Sequence, residues 1–176
     1  MEELKYPIGR FTKPEIISTA YLMDCISTIE FFPSKLKEAV SSLDEVQLDT
    51  PYRPEGWTVR QLVNHCADSH MNALIRLKLA LTENAPTINA YKQDAWAKLT
   101  DSEQMSIVPA LQILDGLHAR WGLALRSLNQ SDWQKSYIHP EKGRAVSIEE
   151  ATANYTWHCE HHLGHVLSLK KRLGWK

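Results

Sequence analysis

The chain has 176 residues, 43% of them hydrophobic, and its 20 Lys and Arg against 21 Asp and Glu leave a formal net charge of −1. That length suits one domain, residues 1–176, with a substantial core, while the near-zero charge excludes a general attraction to nucleic acid. Cys25, Cys66 and Cys159 lack CxxC spacing, no apolar run reaches the roughly 18 residues of a membrane span, and MEELKYPIGRF lacks a signal-peptide core. The expectation is a soluble cytoplasmic protein with no membrane or nucleic-acid partner.

In chain order, the first amphipathic run covers Ile16 to Leu43, and Pro33 is expected to kink or split it, because proline removes a backbone donor. Asp49–Gly56 reads as an ordered loop. A second helix starts at the N-cap Thr58, buries Val59, Leu62, Val63, Cys66, Leu74, Leu77 and Leu81, and ends at Asn84 and Pro86. Another loop, Thr82–Tyr91, leads on toward a third run, about Ile107 to Leu128, with Pro109 tolerable in its first turn. Trp133–Ala145 reads as a loop with room for a short hairpin. The last helix begins at Ser147, with Glu150 in position to complete a capping box, and closes at Gly174 after Lys170, Lys171 and Arg172. Four long amphipathic helices in this length imply an all-α four-helix bundle with long connecting loops.

That last helix carries WHCEHHLGH, in which His158, His161, His162 and His165 fall within nine residues. Each helical residue advances about 100°. Counted round the helix from Ile148 at the centre of the apolar stripe, His158, His161 and His165 fall in a polar strip that flanks the stripe, and His162 falls within the stripe itself. Both i,i+4 pairs, His161 with His165 and His158 with His162, suit two imidazoles on one ion, and the first is preferred because His162 points into the packing. On the second helix His65 lies on a similar strip. Facing strips would therefore build a three-histidine site from His65, His161 and His165. The motif is not HExxH, since His162 occupies the glutamate position after His161. His70, His118 and His162 read more simply as packed core residues, and Cys66 and Cys159 as small buried hydrophobes.

Several blocks, YPIGRF, LDTPYRPEGWTVRQLVNHCADSHMNALIRLKLALTEN, LHARW, HPEKG and YTWHCEHHLGH with the final RLGW, resemble the DinB/YfiT-like family over nearly the full length, specifically its YfiT branch of metal-dependent hydrolases. The resemblance implies a four-helix bundle, commonly a homodimer, binding one zinc or nickel ion through three histidines, which fall here on His65, His161 and His165. Related DinB-type proteins act as bacillithiol S-transferases or mycothiol-dependent isomerases.

Three neutral imidazoles leave a coordination position open, the catalytic pattern. An ion there acidifies water to a pKa of about 7 or holds a thiol as thiolate. Asp68 is the best carboxylate candidate for proton transfer and His158 a candidate proton shuttle. Arg76 and Arg172, on the two strips, are candidate anchors for an anionic thiol cosubstrate. The reading favours thiol transfer to a small electrophile, with metal-dependent hydrolysis of a small molecule as the alternative and a non-catalytic metal-binding stress protein as the third.

Overall fold

Three of the four long helices begin at a hydroxyl residue that accepts from a backbone N–H three positions on: Ser18 from Tyr21, Thr58 from Gln61 and Ser147 from Glu150. In the computed structural model, which describes residues 2–176, the chain forms α1 (Glu2–Lys5), α2 (Thr19–Val40), α3 (Glu45–Leu48), α4 (Val59–Thr82), α5 (Gln93–Trp96), α6 (Thr100–Gln104), α7 (Val108–Arg126), an antiparallel hairpin of β1 (Ser136–His139) and β2 (Arg144–Ser147), and α8 (Ile148–Leu173). No helix among the described residues is long and apolar enough to cross a membrane.

The long helices are α2, α4, α7 and α8. α2 packs against α7 and α8, and α4 packs against the same two. Sequential long helices α2 and α4 therefore sit across a diagonal, as do α7 and α8, and the connections at 41–58 and 127–147 must cross an end of the bundle. Ile26, Ile29, Phe32, Leu62, Leu114, Leu125, Ile148 and Leu169 fill the space between them. Cys25, Cys66 and Cys159 are buried free thiols.

Two expectations need correction. Helix α2 runs unbroken through Pro33. The missing N–H leaves the Ile29 carbonyl without its i+4 partner, and that acceptor is taken by a side chain of α7. Glu150 does not complete a capping box. Its carboxylate is drawn to Arg144, at 2.5 and 3.0 Å, and to Lys13 at 3.4 Å, since two cations attract it more strongly than one backbone N–H.

The box closes instead at α4, where Gln61 Oε1 accepts from Thr58 N–H at 2.9 Å. The Gln61 amide also donates to the Ala97 carbonyl at 2.7 Å, docking the end of α5. Its buried neighbour Arg60 donates to Glu45 at 2.6 Å, Asp49 at 2.7 Å and the Met105 carbonyl at 3.0 Å. The first turn of α4 thus ties together the connections that lie over one end of the bundle. The short helices α3, α5 and α6 leave no mark in the sequence pattern, because one turn carries no 3.6-residue period to read.

Thr58→Ala removes the hydroxyl half of this box and should lower stability by about 1 kcal/mol. The check is urea unfolding, in which the midpoint falls and the slope stays unchanged.

Candidate metal centre

His65 on α4 faces two histidines of α8. His158 Nε2 lies 3.3 Å from His65 Nε2 and 3.2 Å from His162 Nε2, and the ligand atoms of the three lie within 4.8 Å of one another. Two nitrogens each bound to one tetrahedral zinc-type ion stand about 3.3 Å apart, so the donor set and both spacings fit such a divalent ion.

The order of the protons follows from one end of the site. His118 Nδ1 lies 2.6 Å from the Ile29 carbonyl, the acceptor freed by Pro33. A carbonyl only accepts, so Nδ1 carries the proton and Nε2 of the neutral ring has a lone pair. That lone pair accepts from His70 Nδ1–H at 2.8 Å, and His70 Nε2 in turn accepts from His158 Nδ1–H at 3.0 Å. The series leaves His158 Nε2 unprotonated and directed at His65 and His162. Partners on the far nitrogen that fix a ligand's tautomer are the usual support of a metal-binding histidine.

Burial keeps these rings neutral. Desolvation lowers His65, His118, His161 and His165 from 6.5 to about 4 and holds His70, His158 and His162 well below 6.5. Neighbouring histidines add to the effect for His65, His70, His158, His162 and His165. Neutral imidazole is the form that ligates.

The rings of His65, His161 and His165 line one cavity, but their nitrogens do not all lie within 4.8 Å of one another. His161 lies flat on Trp157, centroids 4.4 Å apart, and His165 on Tyr52 at 4.1 Å. His165 Nε2–H donates to the Lys5 carbonyl at 3.2 Å, which commits that nitrogen. The face of α8 carrying these two rings meets the N-terminal segment, with Trp157 donating to the Gly9 carbonyl at 3.0 Å and Gly164 under Pro7 and Ile8. The helical wheel gives the polar strip but not the element opposite it. His161, His162 and His165 do form a second cluster within 4.8 Å. All three come from one helix, however, and adjacent residues such as His161 and His162 diverge by about 100°, so the set that spans two helices is the better cage.

Other expected residues move as well. His158, expected as a proton shuttle, stands between His65 and His162 with its Nε2 near both of theirs, and His162, expected in the core, is indeed buried but faces this cluster. Asp68 lines neither cavity beside the histidines. Burial and Asp101 raise its pKa to about 6. Arg172 donates to the carbonyl of Tyr52, whose ring lies against His165, at 2.9 Å and also lines neither cavity. Arg76 does line a cavity. The carboxylate that sequence reasoning missed is Asp94 of α5, which lines both cavities adjoining His158, and its one-turn helix offers no signal.

One of these cavities, about 500 Å³, opens over the ligand nitrogens and is lined by Tyr6, Trp57, Asp94 and five histidines, His65, His158, His161, His162 and His165. A crossed four-helix bundle with histidines from two helices converging beneath an open cavity is an arrangement that could hold a metal ion.

The comparisons with known proteins agree with that reading. The model of the DinB superfamily matches residues 28–166, and the chain belongs to this family. A Bacillus licheniformis protein named "Putative metal-dependent hydrolase" is 45% identical over 99% of this chain and 99% of its own length. A Bacillus cereus protein bearing the same name is 48% identical over 99% of this chain and all of its own length. Bacillus subtilis YfiT, whose structure is described as a "probable metal-dependent hydrolase with an unusual four-helix bundle topology", superposes with a TM-score of 0.96 at 43% identity, covering 99% of each chain.

Titration with zinc or nickel, followed by calorimetry, separates the two histidine sets. His158→Ala should abolish stoichiometric binding and His165→Ala should keep it, while His70→Leu, which touches no ion, should weaken it about 10–100-fold. The pH dependence has a definite sign. The folded histidines titrate below the unfolded value of 6.5, four of them at about 4, so the unfolded state binds more protons between these limits. Stability of the metal-free protein should be full above about pH 6.5 and fall progressively toward pH 4, read as a falling urea midpoint. A flat profile from pH 7 to 5 would contradict the neutral, buried cluster.

Proposed function

We propose that the protein is a metal-dependent hydrolase of a small molecule, with His65, His158 and His162 holding one divalent ion. The observation that carries this reading is the convergence of three Nε2 atoms, 3.2 and 3.3 Å apart from His158 outward, beneath a cavity of about 500 Å³. Three protein ligands facing open space are the catalytic pattern, whereas a structural ion is closed on all sides. When bound, the ion supplies Lewis acidity and acidifies whatever shares it, water or a thiol.

The chain's own groups supply the rest. His118 and His70 hold the His158 ring in one tautomer. Asp94, exposed and common to both cavities, is the carboxylate available to take a proton from an attacking water and return it to the leaving group. Tyr6, Trp57 and Trp157 wall the histidines with apolar rings, which strengthens electrostatic interactions inside. The relatives' names support hydrolysis over thiol transfer, so the order of the two readings inverts that drawn from the sequence.

Thiol transfer remains as a second reading on one observation. Among the described residues no carboxylate hydrogen-bonds any of the three proposed ligand nitrogens, and a thiol that loses its proton on coordination needs little base assistance.

Zinc- or nickel-loaded protein should turn over activated esters such as 4-nitrophenyl acetate without added thiol, and His158→Ala should remove the activity. Turnover of a model electrophile only when a low-molecular-weight thiol is present would replace the hydrolytic reading with the second. Stoichiometric metal with no turnover in either arm would leave a metal-binding protein without catalysis.

A further inference from the structure

Beside the histidine centre lies a larger cavity, about 650 Å³, lined in part by Ser69, Arg76, Tyr91, His139, Asn154 and Tyr155. It holds a cation without a counter-ion. Arg76 of α4 is only 8% exposed. Its guanidinium donates to the Asn89 carbonyl at 3.2 Å and lies beside the neutral Tyr155 hydroxyl, which itself donates to the Ser69 carbonyl at 3.3 Å. Among the described residues no carboxylate pairs with it. Glu150, the one buried carboxylate among them, is already engaged by Arg144 and Lys13. Asp94 and Glu141 line the same cavity from exposed positions, out of ion-pair reach of the guanidinium.

Burying a guanidinium without a counter-charge is costly, and its planar fork matches the paired oxygens of a carboxylate or phosphate. A second group points the same way: the Nδ1 atom of His139, in the wall of this cavity, is buried with no partner. The cavity shares His158, Gln93 and Asp94 with the one over the histidine centre, so the two are neighbouring parts of one recess. Arg76 follows His65 by eleven residues of α4, about three turns or about 16 Å of helix, which sets the anion and the reacting bond at opposite ends of an extended small molecule.

We propose that Arg76 and His139 form an oxyanion subsite, and that the substrate of the histidine centre is a small organic anion whose carboxylate or phosphate group seats there. This rests on the hydrolytic reading for its reaction, but the subsite stands on its own observations.

Binding and turnover are therefore measured separately on the metal-loaded full chain. Calorimetric titration with succinate and with inorganic phosphate should show binding of at least one, and the stronger of the two identifies which oxyanion the subsite takes. Arg76→Gln should weaken that binding at least about tenfold and Arg76→Lys by less, because a point charge replaces the fork, with metal content unchanged in both. Equal binding by wild type and Arg76→Gln, or no binding of either anion, would overturn the subsite. For turnover, 4-nitrophenyl hydrogen glutarate should exceed neutral 4-nitrophenyl acetate in kcat/KM, and Arg76→Gln should erase that preference. Anion binding that depends on Arg76 with neither ester cleaved would sink hydrolysis and keep the subsite. Equal cleavage of both esters with binding indifferent to Arg76 would do the reverse.

Discussion

A single carbonyl in the middle of α2 orders the histidines at the candidate centre. Proline at 33 has no N–H to give to Ile29, and the vacated acceptor takes the His118 proton at 2.6 Å. From that contact each following ring has only one neutral tautomer compatible with its neighbour, through His70 to His158. His118 and His70 are buried, where hydrogen bonds are stronger and unpaired polar groups costlier than in water. An imidazole on α8 thereby presents its lone pair at a defined point because of an irregularity in a different helix. Phe32, the residue before the proline, packs on both intermediate rings, with centroids 5.2 Å from His70 and 5.6 Å from His118.

The crossed arrangement of the bundle determines what can surround that point. With α4 and α8 adjacent and their sequence neighbours on the diagonals, histidines from both meet at one end, under connections long enough to build walls. Arg60 and Gln61 hold those connections from the first turn of α4. They bring Asp94 near His158, while Arg76, three turns along the same helix, reaches the adjoining cavity. The ligand set, the carboxylate and the unpaired cation thus come from elements far apart in sequence but fixed to one rigid helix. Rigid placement of this kind is what a catalytic site requires.

Much of the framework was legible from local pattern alone. Ser147 and Gly174 bound the last helix, Thr58 starts the second, which ends at Thr82 two residues before the expected Asn84, and the 3.6-residue apolar period located the core faces, because these signals act within one or two turns. His65 stands out correctly as a residue beside a buried stripe. Its expected partners are not the histidines whose nitrogens lie nearest to it: spacing allows both i,i+4 pairs on α8, and nothing local says that Lys5 to Gly9 covers one of them while α4 covers the other. Pro33 reads locally as damage to a helix, and its consequence for a histidine 85 positions later is invisible to sequence spacing.

The sequence by itself determined four amphipathic helices, the N-caps of two of them, a surplus of histidine on two and a family resemblance, since each depends on residues close together in the chain. Only the tertiary structure decided which histidines face one another, which carbonyl starts the series of protons, that Asp94 stands near the centre, and that Arg76 is buried without an acid. These depend on which helices are neighbours and which loops lie over them. That is settled by the packing of the whole core, because hydrophobic burial is non-directional and leaves the pairing of polar faces to the geometry it produces.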